Sequence, residues 1–281
     1  MATTAERRRA FRRLHEGGCF VIPNPWDVGS ARYLQHLGFH ALATTSAGAA
    51  FAMGLPDSDR VVPCDAMLAH VRSIVETTDV PVNADFASGF AAAPEEVAAN
   101  VRRCIETGVA GLSVEDASGD PTTPLHELSF AADRIRGARG AIDAVRADVV
   151  LTARAECFVV GSRDLDDVIR RLQAYAEAGA DCLYAPGLST REQIAAVVAA
   201  VAPRPVNVLV GGGARFTVSD LASLGVRRIS VGSGLARAAW SGFARAAREI
   251  AAAGRFDAMA DATPYAELNT FFREDVARRT S

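Results

Sequence analysis

Two short apolar segments of the chain each end on a carboxylate that precedes a turn or loop. Residues 80–85 end on Asp85 and precede Ala87-Ser-Gly89, and residues 111–115 end on Glu115. Runs of this length are typical of buried β-strands, so the sequence places an acidic side chain at the carboxyl end of two successive strands. Taken alone, either residue could equally be an ordinary turn residue. The repetition is what indicates a site.

Polar side chains also follow the other predicted strands. They are Asp27, Thr44, Thr45, Ser46, Asp116, Arg154, Glu156, Tyr184 and Asn207. The carboxyl ends of the strands in a parallel barrel converge on one face, and such a barrel would therefore gather these side chains. Arg154 is expected to face a substrate carboxylate or a developing enolate oxygen. An ion pair with a neighbouring carboxylate such as Glu156 is the alternative.

Oxygen ligands on adjacent strands predict a divalent metal ion. Asp85 and Glu115 offer hard carboxylate oxygens, which suit Mg²⁺ or Mn²⁺, whereas zinc prefers His or Cys. Such an ion can hold the two oxygens of a 2-oxo acid. It can also stabilise the negative charge that appears when a bond beside the carbonyl breaks. The predicted ligand is therefore a small carboxylic acid.

The elements that must position these residues alternate between strand and helix. We count eight strands, near residues 19–23, 41–45, 80–85, 111–116, 149–154, 182–185, 205–210 and 228–231, and a helix follows each. This alternation predicts an α/β fold, a (β/α)8 TIM-type barrel that forms a catalytic domain over residues 1–253. A doubly wound sheet is the weaker alternative, because no Gly-x-Gly-x-x-Gly follows the first strand.

Residues 254–281 lie outside this count and form a predicted C-terminal helical tail. The segment is rich in aromatic and large apolar side chains, and Pro264 opens a last helix that carries most of them. The apolar face of this helix has to be buried, either on its own barrel or on a neighbouring subunit. The second option predicts a homo-oligomer, a dimer or a tetramer.

Charge and composition argue against several classes of protein. The 281 residues carry a net charge of -3 at pH 7, which gives no electrostatic basis for binding nucleic acid. All 30 basic residues are arginine, so neither a Schiff-base enzyme nor a phosphate-loop NTPase is expected. The five cysteines are scattered, which predicts reduced thiols. Since no apolar run reaches membrane-spanning length, we expect a cytoplasmic protein with no membrane partner.

Seven motifs, taken together and in this order, resemble those of the isocitrate lyase and phosphoenolpyruvate mutase superfamily. They are Asn24-Pro-Trp-Asp27, Thr44-Thr-Ser-Ala-Gly48, Gly54-Leu-Pro-Asp57, Asn83-Ala-Asp85, Val114-Glu-Asp116, Thr152-Ala-Arg154 and Gly179-Ala-Asp181. The resemblance implies a barrel that bears Mg²⁺ and holds an α-oxo acid or its enolate. It also implies that the C-terminal helix is exchanged between subunits.

The resemblance and the strand-end analysis together assign roles to particular residues. The expected metal ligands, direct or through water, are Asp57, Asn83, Asp85 and Glu115. The expected substrate-binding residues are Trp26, Thr44, Thr45, Ser46, Ala47, Arg154, Tyr184 and Asn207. The expected catalytic residues are Arg154, His126 and Asp57, of which Asp57 could also be a turn residue after Pro56.

Two departures from the family pattern bear on the reaction. Asn83 stands where the family usually has the first Asp of Asp-x-Asp, and an amide lowers the charge of the metal site. Residues 117–126 replace the Lys-Cys-Gly-His gating loop of isocitrate lyases, in which the cysteine acts as the acid. His126 is the first candidate for a replacement proton donor, because imidazole titrates near neutral pH. A surface histidine in a loop is the alternative interpretation, and Thr122, Thr123 and Tyr184 are further candidates.

The sequence therefore predicts a Mg²⁺-dependent carbon-carbon lyase that acts on a small 2-oxo or 2-hydroxy carboxylic acid through an enolate. One alternative is a phosphonopyruvate-type C–P mutase or hydrolase, which would use the same metal and the same oxo-acid site. A second is a non-catalytic oxo-acid-binding relative, because function is set by the site and not by the fold.

Overall fold

The computed structural model of the protein describes residues 2–211, 213 and 216–280. Its strands, in chain order, are β1 Phe20–Ile22, β2 Leu42–Ala43, β3 Val82–Asp85, β4 Gly111–Glu115, β5 Val150–Arg154, β6 Cys182–Tyr184, β7 Val206–Leu209 and β8 Arg228–Ser230. Its α-helices are α1 Thr4–Leu14, α2 Val28–His36, α3 Ser46–Ala52, α4 Cys64–Thr77, α5 Pro94–Ile105, α6 Leu128–Ala144, α7 Leu165–Glu177, α8 Arg191–Val201, α9 Val218–Ser223, α10 Gly234–Ala253 and α11 Tyr265–Thr280.

The eight strands found in the described residues form a single parallel sheet, in the order β1-β8-β7-β6-β5-β4-β3-β2. The Ala43 N–H donates to the Pro23 carbonyl oxygen over 3.0 Å, at the seam between β1 and β2. The sheet is thus nearly closed. The predicted (β/α)8 barrel is confirmed.

The helices begin where the sequence supplies capping groups. Thr190 and Thr217 form capping boxes at the start of α8 and α9, and Pro94 occupies the first turn of α5. The structure adds a helix, α3, between β2 and α4, where the sequence analysis placed only one helix before the next strand. The Thr45 hydroxyl accepts the Gly48 N–H over 3.2 Å and starts this alanine-rich turn.

The interior of the barrel follows from the pleat of the strands. Residues two positions apart face the same side of a strand, so Asn83 lies below Asp85 and Thr152 lies below Arg154. Phe11 of α1 is fully buried and closes the amino-terminal end of the barrel. A Cβ added at Gly111 would lie 2.5 Å from Phe11 Cε1, so this close approach requires glycine.

The chain separates into two compact units, one ending at Gly234 and the other beginning at Leu235. In the second unit, a 3-10 helix at Asp257–Met259 lies between α10 and α11, and Asp275 is buried and ion-paired with Arg279 over 3.1 Å. Large apolar side chains of this unit are exposed, among them Trp240, Phe243, Phe256, Tyr265 and Leu268. The predicted domain limits at residues 253 and 254 and the exchange of a helix between subunits stay predictions.

No helix within the described part of the chain is both long enough and apolar enough to cross a lipid bilayer.

Candidate active site

A cavity of about 480 Å³ opens at the carboxyl ends of the barrel strands. In parallel barrels this face, built from strand ends and their loops, is the usual location of an active site. The predicted site residues that line the cavity are Thr44, Thr45, Ser46, Ala47, Asp57, Asn83, Asp85, Glu115, Arg154, Tyr184 and Asn207. The structure therefore brings together most of the residues selected from the sequence.

Arg154, the last residue of β5, is the centre of the charged groups. Its Nη1 lies 2.6 Å from Asp85 Oδ1, its Nη2 lies 3.1 Å from Glu115 Oε2, and its Nε lies 2.9 Å from Glu156 Oε1. Burial opposes the charged guanidinium, but the three carboxylates more than offset this and hold the pKa of Arg154 well above its usual range. The guanidinium is thus held by three carboxylates in this structure and is charged at any working pH.

Asp85 is oriented by groups from the neighbouring strand ends. Its Oδ2 accepts the main-chain N–H of Ser46 over 3.0 Å, and its own N–H donates to the Thr44 hydroxyl over 2.9 Å. The Ser113 hydroxyl on β4 lies 3.5 Å from Asp85 Oδ1. These contacts hold the carboxylate facing Arg154 and the cavity.

The cavity carries an excess of negative charge. Among the described residues that line it, the carboxylates are Asp57, Asp59, Asp85, Glu115 and Glu156, and the guanidinium groups are Arg154 and Arg228. Burial raises the pKa of Glu115 to about 8, and Glu156, Asp85 and Asp57 add to the shift although Arg154 opposes it. Burial and then Asp85 also raise the pKa of Asp57. A further cation would relieve both shifts.

The donor set fits Mg²⁺ or Mn²⁺ in its chemistry, because it consists of hard oxygen atoms with net negative charge. Asp57, Asp85 and Glu115 would hold the ion. Over the residues that the structure describes, however, the acidic, His and Cys side chains do not close into a group of three or more ligands around one point. Arg154 instead bridges Asp85 and Glu115.

Asn83 lies one layer deeper in the barrel than Asp85. Its side chain is buried, its Nδ2 donates to the Ala84 carbonyl oxygen over 3.1 Å, and its Oδ1 has no hydrogen-bond partner among the described residues. A buried amide oxygen of this kind is a typical site for an ordered water. The predicted contribution of Asn83 to a metal site is therefore through water.

Among the residues that were predicted for the site, all of which the structure describes, the side chains of Trp26 and His126 do not reach the cavity wall. The main-chain N–H of His126 donates to the Asp116 carbonyl oxygen over 2.9 Å, and its ring packs against Phe130 with centroids 5.3 Å apart. Burial, with Arg134 next in importance, lowers the pKa of this imidazole. Asp27 caps helix α2 by accepting the Ser30 N–H over 2.6 Å.

Asn24 belongs to the first of the seven motifs, and its structural role could not be predicted from the sequence. Its Oδ1 accepts the N–H groups of Val231 and Gly232, each over 2.9 Å, and its Nδ2 donates to the Thr44 carbonyl oxygen over 2.9 Å. This buried amide joins the ends of β1, β2 and β8 across the seam of the barrel. An asparagine directly after Pro23, at the end of a predicted strand, is the sequence feature that could have indicated this role.

Arg228 was also missed, and Asp116, which was expected only as one of the strand-end side chains, supports the site from behind. Arg228 is buried on β8 inside the barrel, and its Nε donates to Asn207 Oδ1 over 2.9 Å. Asp116 is buried behind the site, and its Oδ1 accepts the N–H of Glu156 over 2.8 Å. The signal for Arg228 was its position two residues before Ser230 on a predicted strand, which places both side chains in the interior.

Comparison with known proteins agrees with this architecture. The family model described as phosphoenolpyruvate phosphomutase matches residues 11–251. The crystal structure of a candidate lyase/mutase from Burkholderia cenocepacia J2315 is similar, with a TM-score of 0.91, 47% identity and 96% of each chain covered. Oxaloacetate decarboxylase from Bradyrhizobium sp. (strain BTAi1) is 30% identical over 240 residues, which cover 82% of this chain and 78% of that protein.

The structure of oxaloacetate acetylhydrolase in complex with the product oxalate has a TM-score of 0.84 and 26% identity, and the match covers 96% of this chain and 95% of that one. Fold and site together therefore define a (β/α)8 barrel enzyme with a carboxylate-lined cavity. The chain belongs to the isocitrate lyase and phosphoenolpyruvate mutase superfamily, as its motifs predicted.

Proposed function

We propose that the protein is a Mg²⁺- or Mn²⁺-dependent carbon-carbon lyase that acts on a small 2-oxo or 2-hydroxy carboxylic acid through an enolate. Acids of the oxaloacetate type are the first candidates. The observation that carries the proposal is the convergence of Arg154, Asp85 and Glu115 in one cavity. Two of the similar proteins are named for oxaloacetate, which supports the choice of substrate class.

The size of the cavity supports a small substrate. At about 480 Å³ it lies in the lower part of the ~300–1,000 Å³ range of ligand pockets. Its polar wall would orient a compact anion: the hydroxyl groups of Thr45 and Ser46 would bind carboxylate oxygens, and Arg154 would face the oxygen that gains charge. Thr44, Ala47 and Asn207 stay further predicted substrate contacts, and so does Trp26, although its side chain lies off the cavity wall in this structure.

Asp57, Asp85 and Glu115 would hold the metal ion, with Asn83 acting through water. The ion, when bound, would supply Lewis-acid polarisation of the oxo and carboxylate oxygens. Arg154 would stay beside the reacting atoms, since Glu156 retains its Nε while Nη1 and Nη2 turn towards substrate. Asp57 is proposed as a catalytic residue because it lines the cavity and burial, followed by Asp85, raises the pKa of its carboxyl group.

A substrate panel tests this proposal. The purified protein would be incubated with oxaloacetate, 2-methylmalate-type acids and phosphonopyruvate, each with Mg²⁺ and with EDTA. We expect product from an oxo or hydroxy acid only with the metal, and loss of turnover in Asp85→Asn and Arg154→Met. Asp133→Asn, which changes an exposed acid on α6, is the matched control and should retain full activity. Metal-independent turnover would contradict the proposal.

The match to the phosphoenolpyruvate phosphomutase family model favours a second candidate, C–P bond chemistry on phosphonopyruvate. The same panel separates the two candidates. Phosphate release or rearrangement of phosphonopyruvate, without turnover of any oxaloacetate-type or malate-type acid, would replace the lyase assignment.

His126 and the oligomeric state stay predictions with their own tests. A catalytic role for His126 requires His126→Asn to lose activity, although its ring lies away from the cavity wall in this structure.

A dimer or tetramer is supported by the exposed apolar side chains of Phe243, Phe256 and Tyr265. Light scattering coupled to size-exclusion chromatography would measure it, and a monomer at micromolar concentration would contradict it.

A further inference from the structure

One arginine of helix α6, Arg134, is buried behind the cavity with only 1% of its surface exposed. Its guanidinium group donates to four main-chain carbonyl oxygens, those of Ser88, Ala91, Ala92 and Glu115. The distance is 3.1 Å from Nε to Ala92, 2.8 Å from Nη1 to Glu115 and 3.1 Å from Nη2 to Ala91. These acceptors offset the cost of burying the charge, and they join α6 to two separate segments of the chain.

The position of α6 lets Arg134 reach both segments. Gly137 lies one turn further along the same face of the helix. A Cβ added at Gly137 would lie 2.6 Å from the carbonyl oxygen of Pro94, the first residue of α5, so this approach requires glycine. Helix α6 therefore packs closely on the start of α5, next to the loop that Arg134 contacts.

This loop, the β3–α5 loop of residues 86–93, contains backbone that needs support from its surroundings. Ala87 and Phe90 have φ angles of +44° and +56°, in the left-handed region that residues with a Cβ rarely occupy. Such conformations persist only where neighbouring groups hold them. Three of the four hydrogen bonds of Arg134 go to this loop and provide that support.

The β3–α5 loop contacts the segments of two expected metal ligands, Asp85 and Glu115. It follows directly on Asp85, the last residue of β3. Its Ala87 carbonyl oxygen accepts the Glu115 N–H over 3.0 Å. Since the Glu115 carbonyl oxygen accepts from Arg134, both main-chain polar groups of Glu115 are held.

The third expected ligand, Asp57, is linked to the same loop through a neighbour. The Ser88 hydroxyl donates to the carboxylate of Asp59, which lines the cavity two positions after Asp57. The Ser88 carbonyl oxygen in turn accepts from Arg134. A displacement of the loop would therefore disturb the supports of all three ligands together.

We propose that Arg134 is a positioning residue of the metal site, which holds Asp57, Asp85 and Glu115 in register by supporting the β3–α5 loop. The inference rests on the proposed function and adds to it a residue that lies off the cavity wall. Arg134 acts through main-chain groups, so it leaves the carboxylate oxygens free to bind a divalent cation.

Arg154 cannot provide this support once a cation is bound. It contacts the carboxylate oxygens themselves, at 2.6 Å from Asp85 Oδ1 and 3.1 Å from Glu115 Oε2. A cation that binds those oxygens competes with its guanidinium group. The main-chain hydrogen bonds of Arg134 do not depend on which positive group the carboxylates face.

Titration with Mn²⁺ tests the inference, because the electron paramagnetic resonance signal of free Mn²⁺ measures binding without any turnover. The unaltered protein should bind Mn²⁺ at a site that Asp85→Asn removes. Arg134→Met should weaken this binding about 10–100-fold, as for loss of other groups that orient metal ligands. Arg134→Lys, which keeps the charge but loses the planar set of donors, should recover part of the affinity. Arg136→Met, which removes an exposed arginine of the same helix, is the matched control and should bind Mn²⁺ normally.

A second variant tests the support of the loop with Arg134 left in place. Asn100 Nδ2 donates to the carbonyl oxygens of Gly89 and Phe90 over 3.0 Å and 3.3 Å, and Asn100→Ala removes both hydrogen bonds. It should weaken Mn²⁺ binding about fivefold. Binding is compared under conditions in which circular dichroism shows each variant to be folded, because a purely structural role would lower stability without changing the Mn²⁺ affinity of the folded protein.

The outcomes separate this inference from the proposed function. Unchanged Mn²⁺ affinity in folded Arg134→Met would overturn the inference and leave the proposed function standing. If Arg134→Met does not fold, unchanged affinity in Asn100→Ala would overturn it in the same way. If the unaltered protein binds no Mn²⁺, the proposed function fails and this inference falls with it.

Discussion

Replacement of Asp116 by alanine should destabilise the protein, because it removes a carboxylate that pairs with the guanidinium of Arg171. Asp116 is 2% exposed, and its Oδ2 accepts from Arg171 Nη1 over 3.0 Å and from the Tyr175 hydroxyl over 2.6 Å. Its Oδ1 accepts the N–H of Glu156. Alanine would leave each of these donors buried without its acceptor, and removal of one partner from a buried ion pair costs about 3–5 kcal/mol.

The structure points to the lower end of that range. Arg171 retains Asp167 Oδ2 at 3.0 Å and the His126 carbonyl oxygen at 3.0 Å, so its charge keeps other partners. We therefore expect Asp116→Ala to lower the free energy of unfolding by about 3 kcal/mol. That is a large part of the ~5–15 kcal/mol typical of folded proteins. Asp116→Asn should cost less, about 1.5–3 kcal/mol. Asparagine keeps the shape of the side chain, but its NH₂ group would face one of the buried groups that donate to Asp116.

Urea unfolding followed by circular dichroism measures this loss. The matched control is Asp133→Ala, which removes an exposed ion pair with Arg136 and should change the free energy of unfolding by less than ~1 kcal/mol. The comparison requires that the free energy of unfolding change with urea concentration by the same slope in all variants. A loss below about 1 kcal/mol in Asp116→Ala would refute the account of this buried network.

Further perturbations test the cavity, the barrel floor and the seam. Folding raises the pKa of Glu115 from 4.5 to about 8. With EDTA present, the free energy of unfolding should therefore fall as the pH rises from 4.5 to about 8. Urea unfolding at several pH values measures this fall, and Glu115→Gln should remove it. Burial and Arg228 lower the pKa of His15 from 6.5 to about 3, so stability should be lost as pH falls from 6.5 towards 3, and His15→Gln should remove that loss. Asn24→Ala leaves two N–H groups and a carbonyl oxygen without their partner and should cost about 3 kcal/mol by thermal unfolding, whereas a loss under ~1 kcal/mol would contradict its role at the seam.

The barrel could be predicted from the sequence because its signals are local. Each strand is a short apolar run, each helix has its own start signal, and a carboxylate at the end of a strand is visible without knowing the strand's neighbours. Asp85, Glu115 and Arg154 could therefore be selected as a group, since parallel strands bring their carboxyl ends to one face. The contacts of Arg154 with both carboxylates agree with that selection.

Residues that act over long separations could not be predicted in the same way. Asn24 bonds to groups more than 200 positions later in the chain, and only closure of the barrel brings them together. His126 is the first candidate proton donor from the sequence because imidazole titrates near neutral pH, and that property does not indicate where the side chain lies in the folded loop. The bridge between Ala117 and Leu125 folds this loop on itself, and contacts to Asp116 hold His126 at its base.

The interior of the barrel shows why a site cannot be understood from its strand ends alone. Asp85, Arg154 and Ser230 are each preceded by an inward-facing residue two positions earlier, and before Ser230 that residue is the buried cation Arg228. Asn83 places a neutral amide in the same interior, and Arg228 donates to Asn207 Oδ1 over 2.9 Å. The carboxylates of the cavity lie above these two residues, at the strand ends. The charge balance of the cavity therefore depends on Arg228 and Asn83 as well as on the carboxylates at the strand ends.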